Sequence, residues 1–550
     1  MSDIKRIKKR NFKMQEEVSN WNNIWQVVGE FITQTKQNFE GTVQPGEFLN
    51  EDIFDSTATF ASGNSASALL GMLWPSTAKK AIKIDPPDDL DEPTAEELDW
   101  YEESTKRLVR AMDDPRANLI LALDEYMLDQ VNFGTSGVGV FFEDDRLLYR
   151  SFSVKEMRID EGKNARVDVT YLNFEWTIKR VVDTYGIENV SEKTRKKFED
   201  GNFFEKIKIL IAYEPSDEGM AFKSTHMELD AETLLKEGGF EEFPINVTRF
   251  RKLGYEKYGR SPGMNALPDI RELNVLKEAV IVATEKLLDP PLGMLSDGML
   301  GGGIVDTSSG ALNVFDSQGN IGNTPPVFEI STVGDLSVAL ARIEALEQSI
   351  AQHFFIDRLL DFNNQTQMTA TETIARSQIR NSSLASLISR QITEMFTPLV
   401  ERSFNIMLRR DEFGFFAGTI EAQIEETFEG EVDLIPERIA ERLLKGEEAY
   451  QVRYTTPADR ITNAEELDGM IQLIQLNQAL AQTNPEATMF LDIAAIQENG
   501  KRLFGAPVDI IKHVDEVAEL MRQQEEQIAQ QQQLNQAEQA AGIAGDLQQT

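Results

Sequence analysis

The segment that decides the fold, residues 258–410, opens with Tyr258-Gly259-Arg260-Ser261-Pro262. Apolar residues recur at helical spacing over 262–288 and again over 331–360, on either side of an insert that contains Gly301-Gly302-Gly303. A short polar loop follows, and a third helix is predicted to begin at Met368-Thr369-Ala370-Thr371-Glu372 and to reach Arg410. Two helices that flank an insert, followed by a loop and a longer helix, suit the wall of a tube better than an enzyme pocket.

Each of these helices carries local start and stop signals. Ser261 and Pro262 suit the N-cap and first turn of the first helix, and Asp289-Pro290-Pro291 ends it. Thr332 and Asp335 predict a capping box at the start of the second helix. The two apolar stripes consist of Leu267, Ile270, Leu273, Leu276, Val280, Ala283 and Leu287, and of Leu336, Leu340, Ile343, Leu346, Ile350 and Phe354.

The third helix contains Pro398, and a proline inside a helix removes one backbone hydrogen bond. We therefore expect a kink there, with two separate helices as the alternative. The remainder of the chain is mixed. Residues 1–40 and 57–73 show helical patterns, whereas residues 138–250 contain apolar runs of strand length. The predicted fold class is α+β, mainly helical.

Composition limits the function classes. The chain has 550 residues and no cysteine, which rules out disulfides. Its three distant histidines and its net charge of −37 disfavour a histidine-built metal site and a grip on DNA dominated by phosphate neutralisation. No apolar run reaches the roughly 18 residues of a membrane span. The basic run over 5–10 is interpreted as a solvated helix face, with a nucleic-acid or protein-binding arm as the alternative.

The sequence contains no catalytic motif with all the groups that its mechanism requires. Gly259-Arg260-Ser261-Pro262-Gly263 matches the hydrolase pattern Gly-x-Ser-x-Gly. That motif uses the N–H of the residue after the serine as an oxyanion donor, and Pro262 has none. The sequence also lacks the phosphate-binding pattern of NTP-driven motors. We therefore expect no enzyme activity and no cofactor.

The opening motif, Tyr258-Gly259-Arg260-Ser261-Pro262, resembles the head-to-tail connectors, or portal proteins, of short-tailed (podovirus-type) bacteriophages. Residues 64–84, which contain an Ala/Leu helix ending in Trp74-Pro75, and residues 368–376 are similar to two further family segments. Residues 459–475 resemble the family's helical crown. The order and spacing of these segments carry the resemblance, because no single motif is decisive.

The resemblance implies a domain organisation in which wing, stem, clip, channel loop, crown and barrel follow one another. The expected ranges are 1–260 (wing, N-terminal α+β part), 261–288 (first stem helix), 289–330 (small strand-containing clip), 331–360 (second stem helix), 361–368 (channel or tunnel loop), 369–455 (long kinked helix and the rest of the wing), 456–506 (crown) and 507–550 (C-terminal barrel helix and Gln-rich tail).

The resemblance also implies functional residues. The channel loop would comprise Asp361, Phe362, Asn363, Asn364, Gln365, Thr366 and Gln367, which include no Lys or Arg, so a basic collar is not expected. Candidate channel cations in the stem are Lys277, Lys286, Arg342 and Arg358, with intersubunit ion pairs as the alternative role. Candidate clip contacts with a neighbouring subunit, a motor or an adaptor are Ile304, Val305, Leu312, Val314 and Phe315.

The function implied is that of a structural subunit of a ring, usually of twelve copies, at one capsid vertex. Double-stranded DNA would pass through the ring during packaging and ejection, without sequence recognition. Expected partners are the major capsid protein, the terminase large subunit, a tail adaptor and scaffold or internal core proteins, with no membrane. The protein would be part of the virion, assembled in the host bacterial cytoplasm. An oligomeric scaffold or adaptor hub of another assembly is the alternative.

Overall fold

The computed structural model describes residues 2–34, 39, 52–74, 82–87, 89–90, 93–217, 219–296, 305–316, 327–330, 334–359, 386–410, 435–454 and 473–474. The chain divides into two compact units. The first comprises Met1–Ser76 and Ile82–Tyr454, and the second Thr77–Ala81 and Thr455–Thr550. All elements below belong to the first unit. The predicted crown and barrel helix lie outside the described residues except for 473–474.

The described helices include long and short elements. They are α1 (Ser2–Val28), α2 (Thr57–Leu73), α3 (Ala95–Met112), α4 (Leu119–Phe133), α5 (Ile178–Tyr185), α6 (Glu192–Glu199), α7 (Pro262–Leu288), α8 (Ser337–His353), α9 (Ile356–Leu359), α10 (Thr397–Arg410) and α11 (Glu437–Lys445). The bounds of α2 and α7 agree with the ranges that their sequence signals predict.

The strands form four sheets. In chain order they are β1 (Ile82–Asp85), β2 (Thr135–Glu143), β3 (Arg146–Ser153), β4 (Met157–Glu161), β5 (Val167–Thr177), β6 (Lys206–Pro215), β7 (Phe222–Glu228), β8 (Thr233–Phe240), β9 (Ile245–Arg249), β10 (Leu292–Ser296), β11 (Leu312–Asp316), β12 (Val327–Glu329) and β13 (Gln451–Tyr454). The sheet orders are β4-β5-β6-β7-β8, β3-β2-β9, β11-β10-β12 and β1-β13. The fold is thus mixed helix and sheet, as the α+β assignment predicts.

The five-stranded sheet is antiparallel, and α1 packs across one of its faces. Ile7 and Met14 of α1 are buried among sheet residues that include Tyr171 and Leu210. Residues at alternate positions, such as Val169 and Tyr171, give the sheet this buried face, while the positions between them are also largely buried, on the other face.

The basic run of α1 lies on a helix face on which Lys5, Arg6 and Lys9 are exposed, as the first interpretation predicts, but two of its arginines also bind carboxylates on the sheet. Arg6 and Arg10 each donate to the carboxylate of Glu214 at 2.7 Å, and Arg10 also donates to Asp160 at 2.9 Å. Glu214 is 9% exposed and accepts the Tyr171 hydroxyl as well. The partners of this run lie on distant strands, which local sequence does not reveal.

The helical stretch 386–410 is continuous across Pro398, which rules out two separate helices. A π-helical turn, Ile392–Phe396, comes immediately before the proline, and the Thr397 N–H bonds to the Ile392 carbonyl five residues earlier. The wider turn is the local irregularity with which the helix accommodates Pro398. The predicted start of this helix at Met368 lies outside the described residues.

The predicted capping box of the second stripe is wrong. Residues 334–336 are not helical, and α8 begins at Ser337. The reason is local: Asp335 accepts the N–H of Ser337 at 2.8 Å, a side-chain turn that competes with helix formation before Ser337. At the other end, Phe355 has a φ of 60° and separates α8 from α9. Pro268, inside α7, is a further feature that the stripe alone does not signal.

Candidate functional site

The motif Tyr258-Gly259-Arg260-Ser261-Pro262 forms the junction from which α7 departs. A Cβ atom on Gly259 would lie 2.2 Å from the Gly134 carbonyl oxygen, and a Cβ on Gly134 would lie 2.4 Å from the Gly259 oxygen. Gly134, with a φ of 76°, also ends α4. Two backbones therefore touch here, and both positions require glycine.

The other residues of the motif hold the junction in place. Ser261 is completely buried; its hydroxyl donates to the Asn132 carbonyl at 2.6 Å and accepts the Met264 N–H at 2.9 Å. It is a helix cap, not a nucleophile, which agrees with the rejection of the hydrolase motif. Tyr258 packs its ring against Trp21 and Trp25, and burial raises its pKa to about 12.

From this junction α7 extends outward, and α8 returns beside it. Near the start of α7, Asp269 accepts the Ser349 hydroxyl at 2.6 Å, so the end of α8 lies beside the beginning of α7. At the far end, the Ile330 N–H bonds to the Pro291 carbonyl at 2.8 Å, which closes the connection between the helices. The pair is therefore an antiparallel hairpin with the insert at its tip.

Burial changes sharply along this hairpin. The buried residues of α7 all lie at or before Asn274, and those of α8 are Leu346 and Ile350. Beyond them the helices carry large apolar side chains that are 44–82% exposed: Val275, Ile281, Val282, Leu287, Leu288, Val338 and Leu340. These residues, here called the exposed stripe, have no cover within the part of the chain that the structure describes.

Two of the four candidate cations form ion pairs within the subunit. Lys277 contacts Asp55 at 2.5 Å and Glu347 at 2.8 Å. Burial lowers the pKa of Lys277, but these two carboxylates outweigh it and raise the pKa overall. Arg342 binds Glu272 through two hydrogen bonds of 2.7 and 2.9 Å, and this contact raises the pKa of Arg342. Lys277 and Arg342 thus have carboxylate partners within their own subunit, and their presence requires no contact with DNA or with a neighbouring subunit.

The other two candidate cations are Lys286 and Arg358. Lys286 is half-buried at the outer end of α7 and forms no ion pair with any described residue. Hydrogen bonds from Ser308 lower the pKa of the nearby Asp306 carboxyl, and the positive charge of Lys286 adds a smaller effect in the same direction. Arg358 lies in α9, and its side chain is outside the described residues.

The insert forms a distal sheet, defined here as β10, β11 and β12. Strand β10 is central, with β11 parallel on one side and β12 antiparallel on the other. Phe315 stacks on Phe328, with ring centroids 5.9 Å apart. Leu312 and Val305 are 58% and 43% exposed, and Val314 is half-buried. Both outer strands leave one edge unpaired among the described residues.

The sequence-based channel loop, residues 361–367, and the clip candidate Ile304 lie outside the described residues. The described site therefore comprises the junction, the helix hairpin and the distal sheet.

Sequence reasoning missed a buried charge cluster behind the hairpin. Arg249, 1% exposed, ends β9 and contacts Glu161 and Glu394; the Glu394 contact is 2.9 Å. Glu394 lies in the π-helical turn before Pro398. Arg402, on the same helix, donates to the Val140 carbonyl at 3.0 Å, and burial lowers its pKa to about 10. Because these partners are far apart in the chain, no spacing rule reveals them.

The described residues contain no cluster of His, Asp or Glu side chains arranged to hold a metal ion. None of their helices combines the length and hydrophobicity of a membrane span.

Comparison with known proteins identifies the family. The sequence model of the bacteriophage head to tail connecting proteins matches residues 4–417. The chain belongs to this family. It is similar to the probable portal protein of Bordetella phage BPP-1, with 26% identity over 412 residues that cover 72% of this chain and 73% of the relative. It is also similar to the portal protein of Salmonella phage epsilon15, with 25% identity over 429 residues, 74% of this chain and 75% of the relative.

Among solved structures, a chain described as the virion of a native gene transfer agent particle covers 68% of this chain and 91% of its own, with 10% identity and a TM-score of 0.29. That score is too low for a structural comparison. The family match names a connecting function and no catalytic activity. The sequence-based resemblance to portal proteins is thus confirmed.

Proposed function

We propose that this protein is the structural portal subunit of a phage virion, and that it forms a ring, of about twelve copies as the resemblance implies, around a channel for double-stranded DNA. The single observation that carries the proposal is the exposed stripe on the outer parts of α7 and α8. A lone subunit would leave these apolar side chains in water, whereas neighbouring hairpins in a ring would cover them.

In this proposal the described elements take the roles that the resemblance implies. The hairpin of α7 and α8 is the stem, and the distal sheet is the clip that docks the terminase motor and later the tail adaptor. Residues 1–260 and 369–455 belong to the wing, which meets the capsid. The crown, barrel helix and channel loop complete the ring.

The edges of the distal sheet support a contact between neighbouring subunits. An unpaired strand edge offers a row of N–H and C=O groups that a second strand can pair with. Leu312 lies on the β11 edge strand and is exposed. Strand pairing from subunit to subunit would cover both the backbone groups and this side chain.

The test is assembly of the purified full-length chain. Light scattering should give a large multiple of the 62.0 kDa subunit mass, and negative-stain images should show rings with a central hole. Replacing Val282 and Leu288 with Asp should abolish rings, because charged groups would enter the apolar interface. The matched control replaces Met220, which is 48% exposed on a distant loop, with Asp.

Three results would contradict the proposal in whole or in part. A stable monomer at micromolar concentration would show that the exposed stripe needs no cover. Rods or small oligomers would favour the scaffold or adaptor hub instead. A ring that survives both Asp substitutions would place the subunit interface elsewhere.

A further inference from the structure

A second surface, distant in sequence from the hairpin, stands out by its charge. Residues 178–208, here called the basic lobe, comprise α5, α6 and the start of β6. They contain eight Lys and Arg residues against six Asp and Glu, in a chain whose net charge is −37. A basic island on so acidic a protein has a local field of opposite sign to the rest of the surface.

The basic lobe also carries an apolar projection. Phe204 is 82% exposed, beside Phe203 at 37%. The projection is held from two sides: the Lys179 N–H bonds to the Phe203 carbonyl at 3.1 Å, and the Asn202 N–H bonds to the Lys197 carbonyl at 2.9 Å. The Phe203 ring also packs edge-on against Phe198 of α6, with centroids 5.0 Å apart. Phe204 is therefore displayed by a structured turn.

The basic lobe contains several cations without carboxylate partners. Lys179, Lys193 and Lys206 are exposed and form no ion pair among the described residues, whereas Lys196 and Lys197 pair with Glu192 and Glu205. Two arginines also lack carboxylates. Arg180 lies over the Trp176 ring at 4.1 Å, and Arg195 donates to the carbonyls of Ile187 and Glu188 at 3.1 Å each. The basic lobe therefore combines unpaired positive charge with an exposed aromatic anchor.

We propose that the basic lobe docks an acidic protein segment that carries an apolar anchor residue. Charge complementarity identifies the segment as acidic, and Phe204 supplies the apolar contact that a hot spot needs at its centre. A DNA duplex fits less well, because its bases are stacked inside and offer Phe204 no partner. The charge of the whole protein also repels an extended polyanion, whereas a short acidic segment meets only the basic lobe.

The experiment measures binding to the assembled full-length protein by fluorescence anisotropy. The probe is a labelled Glu-rich peptide with a central Phe-Leu pair, compared with the same peptide carrying Ala-Ala, with a short DNA duplex and with an oligothymidylate. We expect the Phe-Leu peptide to bind more tightly than the other three. Phe204→Ser should weaken it by about tenfold or more, and Lys193→Glu with Lys206→Glu should weaken it and flatten its salt dependence.

Matched controls separate the basic lobe from general effects. Phe12→Ser replaces another aromatic that is 62% exposed, and Lys163→Glu reverses another exposed lysine; both should bind the peptide like the parent. Failure of the parent to bind the peptide would overturn the proposal, as would equal binding by Phe204→Ser. Tighter binding of either nucleic acid, lost in the lysine double variant, would assign the surface to nucleic acid instead. Ring formation is measured separately, so failure here leaves the portal proposal standing.

Discussion

The two oxygens of Glu394 hold Arg249 at both its side chain and its backbone. One oxygen lies 2.9 Å from the guanidinium, and the other accepts the Arg249 N–H at 3.2 Å. Since Glu394 sits in the π-helical turn and Arg249 ends β9, this contact fixes the irregular part of the long helix to the three-stranded sheet.

Replacing Glu394 with Ala should therefore destabilise the protein by about 3 kcal/mol, because a buried guanidinium loses one of its partners. Urea unfolding, with parent and variant in the same assembly state, measures this difference. Replacing Arg249 with Met and Glu394 with Leu together should cost less than Glu394→Ala alone, since the buried guanidinium is then removed together with its partner and Glu161 keeps its contact with Lys252. Arg390→Ala removes a longer contact to the same carboxylate, 3.5 Å away and made by a half-buried side chain, and should change stability by about 0.5 kcal/mol or less.

The contact between Gly134 and Gly259 leads to a second prediction. Gly259→Ala would place a Cβ 2.2 Å from a backbone oxygen, so the junction must open, at a cost of about 3 kcal/mol. Gly254→Ala is the matched control, because a Cβ there meets nothing within 4 Å. Thermal unfolding distinguishes the two variants. Equal melting temperatures would show that the junction yields without cost.

The sequence predicts best those parts of the structure that are set by residues close together in the chain. The bounds of α7 follow from Ser261, Pro262 and Asp289, which are contiguous with the helix. The start of α8 does not follow from Thr332 and Asp335, because an Asp side chain can bond to the backbone two residues on as well as cap a helix. The bounds of α7 and the start of α8 both depend on hydrogen bonds within a few residues. Only at the start of α8 can the same Asp side chain form two alternative hydrogen bonds, so the local sequence does not decide where that helix begins.

Determinants that lie far apart in the chain are not readable from one sequence. Arg249 and Glu394 are 145 residues apart, and Arg10 and Glu214 are 204 apart. In so acidic a chain, any cation has many conceivable partners, and only the fold selects one. For the same reason the sequence nominates Lys277 and Arg342 as channel cations, although folding gives each a carboxylate within its own subunit.

His226 gives a pH-dependent prediction. Its Nδ1 lies 2.8 Å from the Tyr185 hydroxyl and its Nε2 2.9 Å from the Ser224 hydroxyl. Burial, and then the nearby Lys236, lower its pKa from 6.5 to about 4. The unfolded chain therefore binds more protons than the folded chain between these values, so this contribution to stability is present above pH 6.5 and is lost as the pH falls towards 4.

Between pH 7 and pH 4, this histidine should account for a loss of up to about 3 kcal/mol. Urea unfolding of His226→Gln across the same range should show a correspondingly shallower decline than the parent. Parallel curves for the parent and His226→Gln would contradict a buried neutral imidazole.

The last prediction distinguishes hairpin cations that stabilise the fold from those that would contact DNA in the proposed channel. Asp55, whose side chain is 3% exposed, contacts Lys277 and also accepts the N–H and hydroxyl of Thr57. Lys277→Met would leave that carboxylate without its cation, and we expect a loss of about 2 kcal/mol in stability. Lys286→Met removes a charge that has no ion-pair partner among the described residues, so stability should change by about 0.5 kcal/mol or less. Urea unfolding checks both values.

DNA packaging assays at increasing salt then test the channel role. If Lys286 meets phosphate in the ring, Lys286→Met should reduce the salt dependence of packaging while rings still form. Lys277→Arg should restore stability and package DNA like the parent. A packaging defect in Lys277→Arg with normal stability would mean that Lys277 acts on DNA and not only on Asp55.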